Sequence, residues 1–330
     1  MPVLPQVAVW HWFAFGVLIV ALLALDLLVF HRHAHAPSLR ESTGWSIFWI
    51  ALALLFNAFI WWWLGQDAGL RFLAGYLVEK SLSVDNLFVF LVIFRFFQVP
   101  LKYQYRVLFW GIVGAVLMRL AFILAGTELI HRFEWMKCVF GVFLIYTGGK
   151  LALHSGADVH PEKNVLLKAA RRVLRVSEGD HREHEDHFFV RQDGRWHITP
   201  LLLVLVVVES TDVLFAVDSV PAIIGITEDR FLVFTSNIFA ILGLRALYFL
   251  LAGVMDLFRY LHYGLSAVLV FIGLKMVIEF AEVGIAIPVW VSLLTVAAIL
   301  SVSILASVLA QRRDDRRLGE ANGPPSDPAP

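Results

Sequence analysis

The sequence predicts an all-α, polytopic integral membrane protein of about nine transmembrane helices, including an inverted repeat of three helices each. Three observations carry that expectation. Of the 330 residues, 59% are hydrophobic and 16% charged, with a mean hydropathy of +0.75, a balance foreign to a water-soluble domain. Nine apolar runs reach about the 20 residues that a bilayer span needs: 8–30, 44–64, 70–97, 105–126, 135–153, 199–224, 230–251, 262–281 and 286–309. Three consecutive runs also recur in order, with Asp85 and Asp212 at matching places 127 residues apart.

The first run is read as an uncleaved span with its N-terminus outside. No Lys or Arg precedes it and its apolar stretch is too long for a signal peptide, although Ala34-His35-Ala36 resembles a cleavage site. The second ends in "WWW" (Trp61 to Trp63), an interfacial belt. With nine spans in this orientation, 18 of the 27 Lys and Arg residues fall in cytoplasmic segments, four (Arg71, Arg132, Lys137, Arg230) outside, and five (Lys80, Arg119, Lys150, Arg245, Lys275) in or at the ends of spans. That asymmetry follows the positive-inside rule. The organisation expected is two leading spans (1–69), a first three-helix repeat (70–153), a polar cytoplasmic segment (154–198), a second repeat (199–281), a last span (282–311) and a disordered cytoplasmic tail (312–330). Within the polar segment, "PEKNVLLKAARRVLRVS" has the pattern of a surface amphipathic helix. "FFVRQDGRWHI" places Asp193-Gly194 between two β-prone runs, as in a hairpin.

The repeat rests on three matches: "SVDNLFVF" (Ser83 to Phe90) with "STDVLFAV" (Ser210 to Val217), "RLAFILAG" (Arg119 to Gly126) with "RALYFLLAG" (Arg245 to Gly253), and "LIYTGGK" (Leu144 to Lys150) with "LVFIGLK" (Leu269 to Lys275). An odd number of spans per unit inverts the second copy, a recurring transporter design with the site at the repeat interface.

Five carboxylates sit inside these spans: Glu79 and Asp85 in the third, Glu209, Asp212 and Asp218 in the sixth. At about 2.5–3.5 kcal/mol each, they would cost on the order of 10 kcal/mol if uncompensated. Two compensations are open. The acids pair with Lys80, Lys150, Lys275, Arg119 and Arg245 and fix helix packing, or they converge on a cation. Glu209 and Asp212 share a helix face, as do Glu79 and Asn86. Pro221 cannot donate to the carbonyl of Val217 and is expected to break the helix there, freeing that carbonyl beside Asp218. The candidate metal ligands are therefore Glu79, Asp85, Asn86, Glu209, Asp212 and Asp218, with hydroxyls of Ser83, Ser210 and Thr211. These hard oxygen donors suit Mn²⁺, Ca²⁺ or Mg²⁺ rather than Cu⁺ or Zn²⁺. Asn237, beside Ser236, either lines the pathway or makes an interhelical hydrogen bond. Protons on such acids make cation/proton exchange physically open.

"GYLVEKSLSVDNLFVF" (Gly75 to Phe90), "VESTDVLFAVDSVPAI" (Val208 to Ile223), "TSNIFAILGLRALYFLLAG" (Thr235 to Gly253) and "FIGLKM" (Phe271 to Met276) resemble the signature segments of the TerC family. The resemblance extends to "LALDLLVF" in the first span and "HFFVRQDG" near the hairpin, and points within the family to the bacterial Alx type. It implies a bacterial inner-membrane protein of a family named for tellurium resistance, whose Alx-like members have been called redox modulators and are associated with manganese export. It also implies that Glu79, Asp85, Glu209, Asp212 and Asp218 serve that function, with Mn²⁺ as the transported ion and outward transport. The residues themselves show no dithiol, since Cys138 is the one cysteine, and no soft-metal site.

The competing expectation is a non-transporting membrane partner that supplies metal to, or organises, other membrane or secreted proteins through segment 154–198. An enzyme is not expected: there is no nucleophile with a base, no phosphate loop and no cofactor fingerprint. No permanently bound cofactor and no nucleic-acid partner is expected; the partners are the lipid bilayer, a divalent metal ion and protons. Asp26, near the inner end of the first span, is inexpensive there. The His-rich runs at 31–35 and 181–187 either gather metal ions or sense pH at the inner mouth or, the favoured reading, are solvated loops, and Gly148, Gly149 and Gly273 read as close-approach points.

Overall fold

A computed structural model describes residues 7–30, 38–153, 187–192, 195–252, 260–281 and 287–321. The expected amphipathic helix and both His-rich runs lie outside these residues, except for His187. Among the described residues the chain folds into ten helices and one hairpin: α1 (Val9–Phe30), α2 (Leu39–Leu64), α3 (Gln66–Phe96), α4 (Leu101–Arg132), α5 (Met136–Leu153), β1 (Phe189–Gln192), β2 (Arg195–Ile198), α6 (Pro200–Ile224), α7 (Arg230–Leu242), α8 (Leu244–Ala252), α9 (Leu261–Phe280) and α10 (Val289–Ala321).

Seven of these helices are long and apolar enough to span a bilayer, and α7 with α8, bent by 42° at Gly243, make an eighth if the bent pair crosses as one span. The 31-residue α3 is about 46 Å long at ~1.5 Å per residue. Its charges at Glu79, Lys80 and Asp85 keep it out of the apolar class, although it lies at the centre of the bundle and packs on α2, α6, α7 and α10. The nine expected spans thus each have a helix or a bent pair.

Local chemistry sets the helix ends. Ser38 Oγ accepts from Glu41 N at 3.2 Å to open α2, Thr199 Oγ1 from Leu202 N at 3.4 Å with Pro200 at the first position of α6, and Asp229 Oδ1 from Leu232 N at 2.9 Å to open α7. Only Gly65 separates α2 from α3. Its φ of 92° and its N–H bond to Trp61 O at 3.1 Å reverse the chain within one residue.

The two repeats pack with reciprocal contacts. Helix α3 of the first unit packs on α7 of the second, α4 on α6, and α5 on α9. The first helix of each unit thus meets the second of the other, the pattern a two-fold relation requires. Residue-level contacts follow the same rule at an offset of 125. Gly141 meets Gly273, and their counterparts Ser266 and Gly148 meet each other, with Ser266 Oγ donating to Gly148 O at 2.5 Å. A Cβ on Gly273 would lie 2.5 Å from the Gly141 carbonyl oxygen. Gly273→Ala is therefore expected to force α5 from α9, costing about 1–3 kcal/mol, read as a lowered unfolding midpoint in detergent.

Residues expected on one membrane side do gather. Arg230 pairs with Glu128 at 2.6 Å, Arg132 with Glu128 at 2.7 Å, and Lys137 with Glu228 at 2.6 Å, all at one end of the bundle. At the other end the hairpin, in the expected place, pairs Phe189 with Ile198 through Gln192 with Arg195, and Arg106 of α4 stands 5.4 Å from the Phe188 ring centre.

Two expectations are corrected. Helix α6 does not break at Pro221 but runs through it to Ile224. The proline lies in the last turn, where few hydrogen bonds remain to be lost. The span that does break is α7–α8, at Gly243, where a Cβ would lie 2.8 Å from Trp49 Cβ. The tail also departs from expectation: α10 continues over 312–321 before ending at Ala321, because "QRRDDRRLGEA" is rich in good helix formers and holds no proline.

Candidate ion site between the repeats

Where α3, α4, α6 and α7 meet, Arg119 of α4 is fully buried and forks to three partners. Its Nη1 pairs with Glu79 Oε1 and donates to Asn237 Oδ1 at 3.1 Å, and its Nη2 donates to Asp212 Oδ1 at 3.2 Å. Asn237 Nδ2 in turn donates to Glu79 Oε2 at 3.1 Å, and Ser83 Oγ to Glu79 Oε1 at 3.4 Å. Glu79 is thereby engaged through both oxygens, at zero exposure. A guanidinium suits this place, since its planar fork holds several oxygens at once.

Asp212 is different. Its Oδ2 is buried and has no hydrogen-bond partner among the described residues, and the same is true of Asn86 Nδ2 and Ser219 Oγ. Glu209, one helical turn earlier on α6, is half-buried and close enough to Asp212 for the two carboxylates to repel. It occupies the space left by Gly114, where a Cβ would lie 2.5 Å from the Glu209 carboxyl carbon. Counted as ionised, Glu79 and Asp212 on the guanidinium, with Glu209 one turn along α6, carry a formal charge of −2, which one divalent cation would balance.

The other predicted residues are spread more widely. Asp85, half-buried on α3, lies within electrostatic reach of His262 of α9, whose Nε2 is buried without a hydrogen-bond partner among the described residues. Asp218 lies within electrostatic reach of Lys150. No group of three or more His, Cys, Asp or Glu among the described residues stands close enough to hold a metal ion. The hydroxyls of Ser210 and Thr211 donate to Val207 O, at 2.7 and 3.1 Å.

Of the five cations in or at the ends of spans, Arg119, Arg245 and Lys275 are buried, Lys80 is half-buried and Lys150 exposed, and Arg119 pairs with Glu79 of α3 and Asp212 of α6. Lys80 donates to Ala240 O at 3.1 Å, on the last turn of α7 beside the Gly243 bend. Lys275 donates to Gly225 O at 3.1 Å, at the end of α6, with Glu279 at 3.7 Å. Both ammonium groups thus sit at helix C-termini, where freed carbonyls and the dipole favour a cation. Arg245, the repeat counterpart of Arg119, pairs with Asp26 of α1 and also donates to Asp26 O at 3.2 Å. Asp26 is therefore a buried partner rather than an interfacial acid. Sequence reasoning missed Gly114, His262 and the Gly243 bend. The signal for the bend was present in Gly243, two residues before Arg245 in an otherwise apolar run.

Comparison with known proteins agrees with this architecture. Residues 64–315 match the family model described as integral membrane protein TerC family. The uncharacterised membrane protein STKORF319 of Myxococcus xanthus is 50% identical over 302 residues, 91% of this chain and 92% of its own. The Alx protein of Salmonella typhi, described as a candidate membrane-bound redox modulator, is 46% identical over 93% of this chain and 96% of its own, and that of Escherichia coli K12 is 45% identical over 93% and 97%. No solved structure matches the chain. With the family model covering most of the sequence and relatives alike over nearly their whole length, this chain belongs to the TerC family of integral membrane proteins.

Proposed function

We propose that this chain is a divalent metal ion transporter rather than an enzyme, with Mn²⁺ as its cargo and export as its direction, in a bacterial inner membrane with the N-terminus outside and the C-terminus cytoplasmic. The observation that carries the reading is the unpartnered, buried Asp212 Oδ2 at a junction of formal charge −2. A buried carboxylate oxygen without a partner is costly, and a hard cation with Glu209 as neighbouring ligand removes that cost. Asp85 and Asp218, and the Val217 carbonyl that Pro221 leaves without its usual donor, mark the ion's steps along α3 and α6. Rocking of the two repeats exposes the ion to each side in turn, and protons taken up by the carboxylates aid its release. The preference for Mn²⁺ and the outward direction come from the family resemblance.

The redox role attached to the Alx name finds no dithiol in a chain with one cysteine, so the relatives' label is better served here by control of a redox-active metal. Binding tests the proposal directly. Titrating the purified chain with Mn²⁺ and following the free-ion EPR signal should show saturable binding displaced by Ca²⁺ or Mg²⁺ in excess. A signal indistinguishable from buffer up to millimolar Mn²⁺ would remove the site.

A further inference from the structure

The two repeats are joined by charge at one end of the bundle as well as at its centre. Glu128 of α4, in the first repeat, accepts through Oε2 from Arg230 Nη2 of α7, in the second, at 2.6 Å, and through Oε1 from Arg132 at 2.7 Å. Lys137 of α5 pairs at 2.6 Å with Glu228, on the turn between α6 and α7. Two of these pairs cross from one repeat to the other, at the end that the proposed orientation puts outside. Their side chains are 33–44% exposed. Water can therefore replace each partner at little cost, unlike the partners of the buried Arg119.

A polar track leads from the candidate ion site toward this end. Helices α4 and α6 run in parallel, since Gly111 lies against Val208, Gly114 against Glu209 and Gly126 against Val220 and Ile224. Ser219 follows Asp212 by seven residues on α6, so it stands on the same face about 10 Å nearer the ion pairs. Its hydroxyl is buried and, like Asp212 Oδ2, has no hydrogen-bond partner among the described residues. Past Ser219 the track is shut. Gly126 carries no side chain and lets α4 close on α6, where a Cβ would lie 3.1 Å from Ile224 Cδ1.

Leverage sets the ion pairs apart from the centre. Glu128 follows Arg119 by nine residues, about 14 Å along α4. A rotation of about 10° around the Arg119 junction would move Glu128 by roughly 2.4 Å, enough to part a pair held at 2.6 Å while the junction itself barely shifts.

We infer that the pairs of Glu128 with Arg230 and of Lys137 with Glu228 form a latch, which holds the two repeats together at this end and closes the track from Asp212 past Ser219. Use of the track by an ion rests on the transport reading, whereas the test of the latch needs no transported ion.

Thiol labelling of the full-length chain in nanodiscs tests it. Ser219→Cys is placed in a Cys138→Ser chain, and its reaction with a charged methanethiosulfonate is timed by mass spectrometry. Glu128→Gln with Lys137→Gln should speed labelling about fivefold, the combined effect of two exposed ion pairs. Lys137→Glu should also speed it, by setting two acids opposite one another, and Lys137→Glu with Glu228→Lys should restore the slow rate. Labelling of Ser46→Cys, buried on α2, should not change in any of these chains. Equal rates at Ser219→Cys in latched and neutralised chains overturn the inference, whether both are fast, as for a track already open, or both slow, as for a track shut by apolar contacts alone. An equal increase at Ser46→Cys overturns it as well, since the whole bundle would then have loosened.

Discussion

Arg119→Met is expected to destabilise the chain by about 3–5 kcal/mol, the usual consequence of stripping one partner from a buried ion pair. Arg119 has no exposure, and its guanidinium is the cation that Glu79 and Asp212 contact directly. Methionine fills the volume but leaves two carboxylates facing apolar helices. Thermal unfolding in detergent, read by loss of the monodisperse peak on size-exclusion chromatography, should show a midpoint lowered by many degrees. Arg119→Lys should recover part of the loss, because one ammonium cannot fork to oxygens on α3, α6 and α7. Glu79→Gln combined with Arg119→Met should also recover part, since the amide still accepts from Asn237 and carries no charge. A wild-type midpoint for Arg119→Met would mean that the network does not hold these helices together.

The second large effect is separable from folding. Asp212→Asn should retain the fold, because the amide oxygen still accepts from Arg119 Nη2 in the place of Oδ1. It should nonetheless weaken Mn²⁺ binding by at least about tenfold, or ~1.4 kcal/mol. The substitution replaces the unpartnered oxygen with an NH₂ group that repels a cation, and lowers the local formal charge from −2 to −1. Asn237→Ala gives the contrast: it removes bonds to Glu79 and Arg119, so its effect should fall on stability first. Unchanged affinity in a folded Asp212→Asn chain would move the ion away from the repeat junction.

Much of the architecture was legible because a bilayer imposes a length and a polarity on each span. The apolar runs fell within a few residues of the helices from Val9–Phe30 to Leu261–Phe280, and "WWW" lies at a helix end with Trp62 81% exposed. The hairpin followed from its turn residues, and the repeat from the coincidence of Asp, Arg and Lys in successive spans. What the sequence could not decide was the partner of each charge. Arg119 bonds residues 40, 93 and 118 positions away, and nothing local selects these over Asp85 or Asp218. Arg245 is the sharper case. It occupies the equivalent position in the second repeat, where Val206 replaces the acid that Glu79 supplies in the first, and α1 fills the gap with Asp26. Pro221 and Gly243 show the limit of backbone rules. Both residues favour a break, but the proline falls in a last turn with little helix to lose, whereas the glycine lies against Trp49 with Lys80 ready to take a carbonyl of the interrupted helix.

The central claim is that the carboxylates of α3 and α6 carry a divalent cation across the membrane. Uptake of Mn²⁺ into inside-out vesicles holding the wild-type chain, against Asp85→Asn and Asp212→Asn chains shown to be folded, tests it most directly. The expected result is accumulation by wild type under an imposed pH gradient and loss of it in both variants. Equal Mn²⁺ content in empty, variant and wild-type vesicles under gradients of either sign would contradict transport and leave the chain as a membrane partner of other proteins.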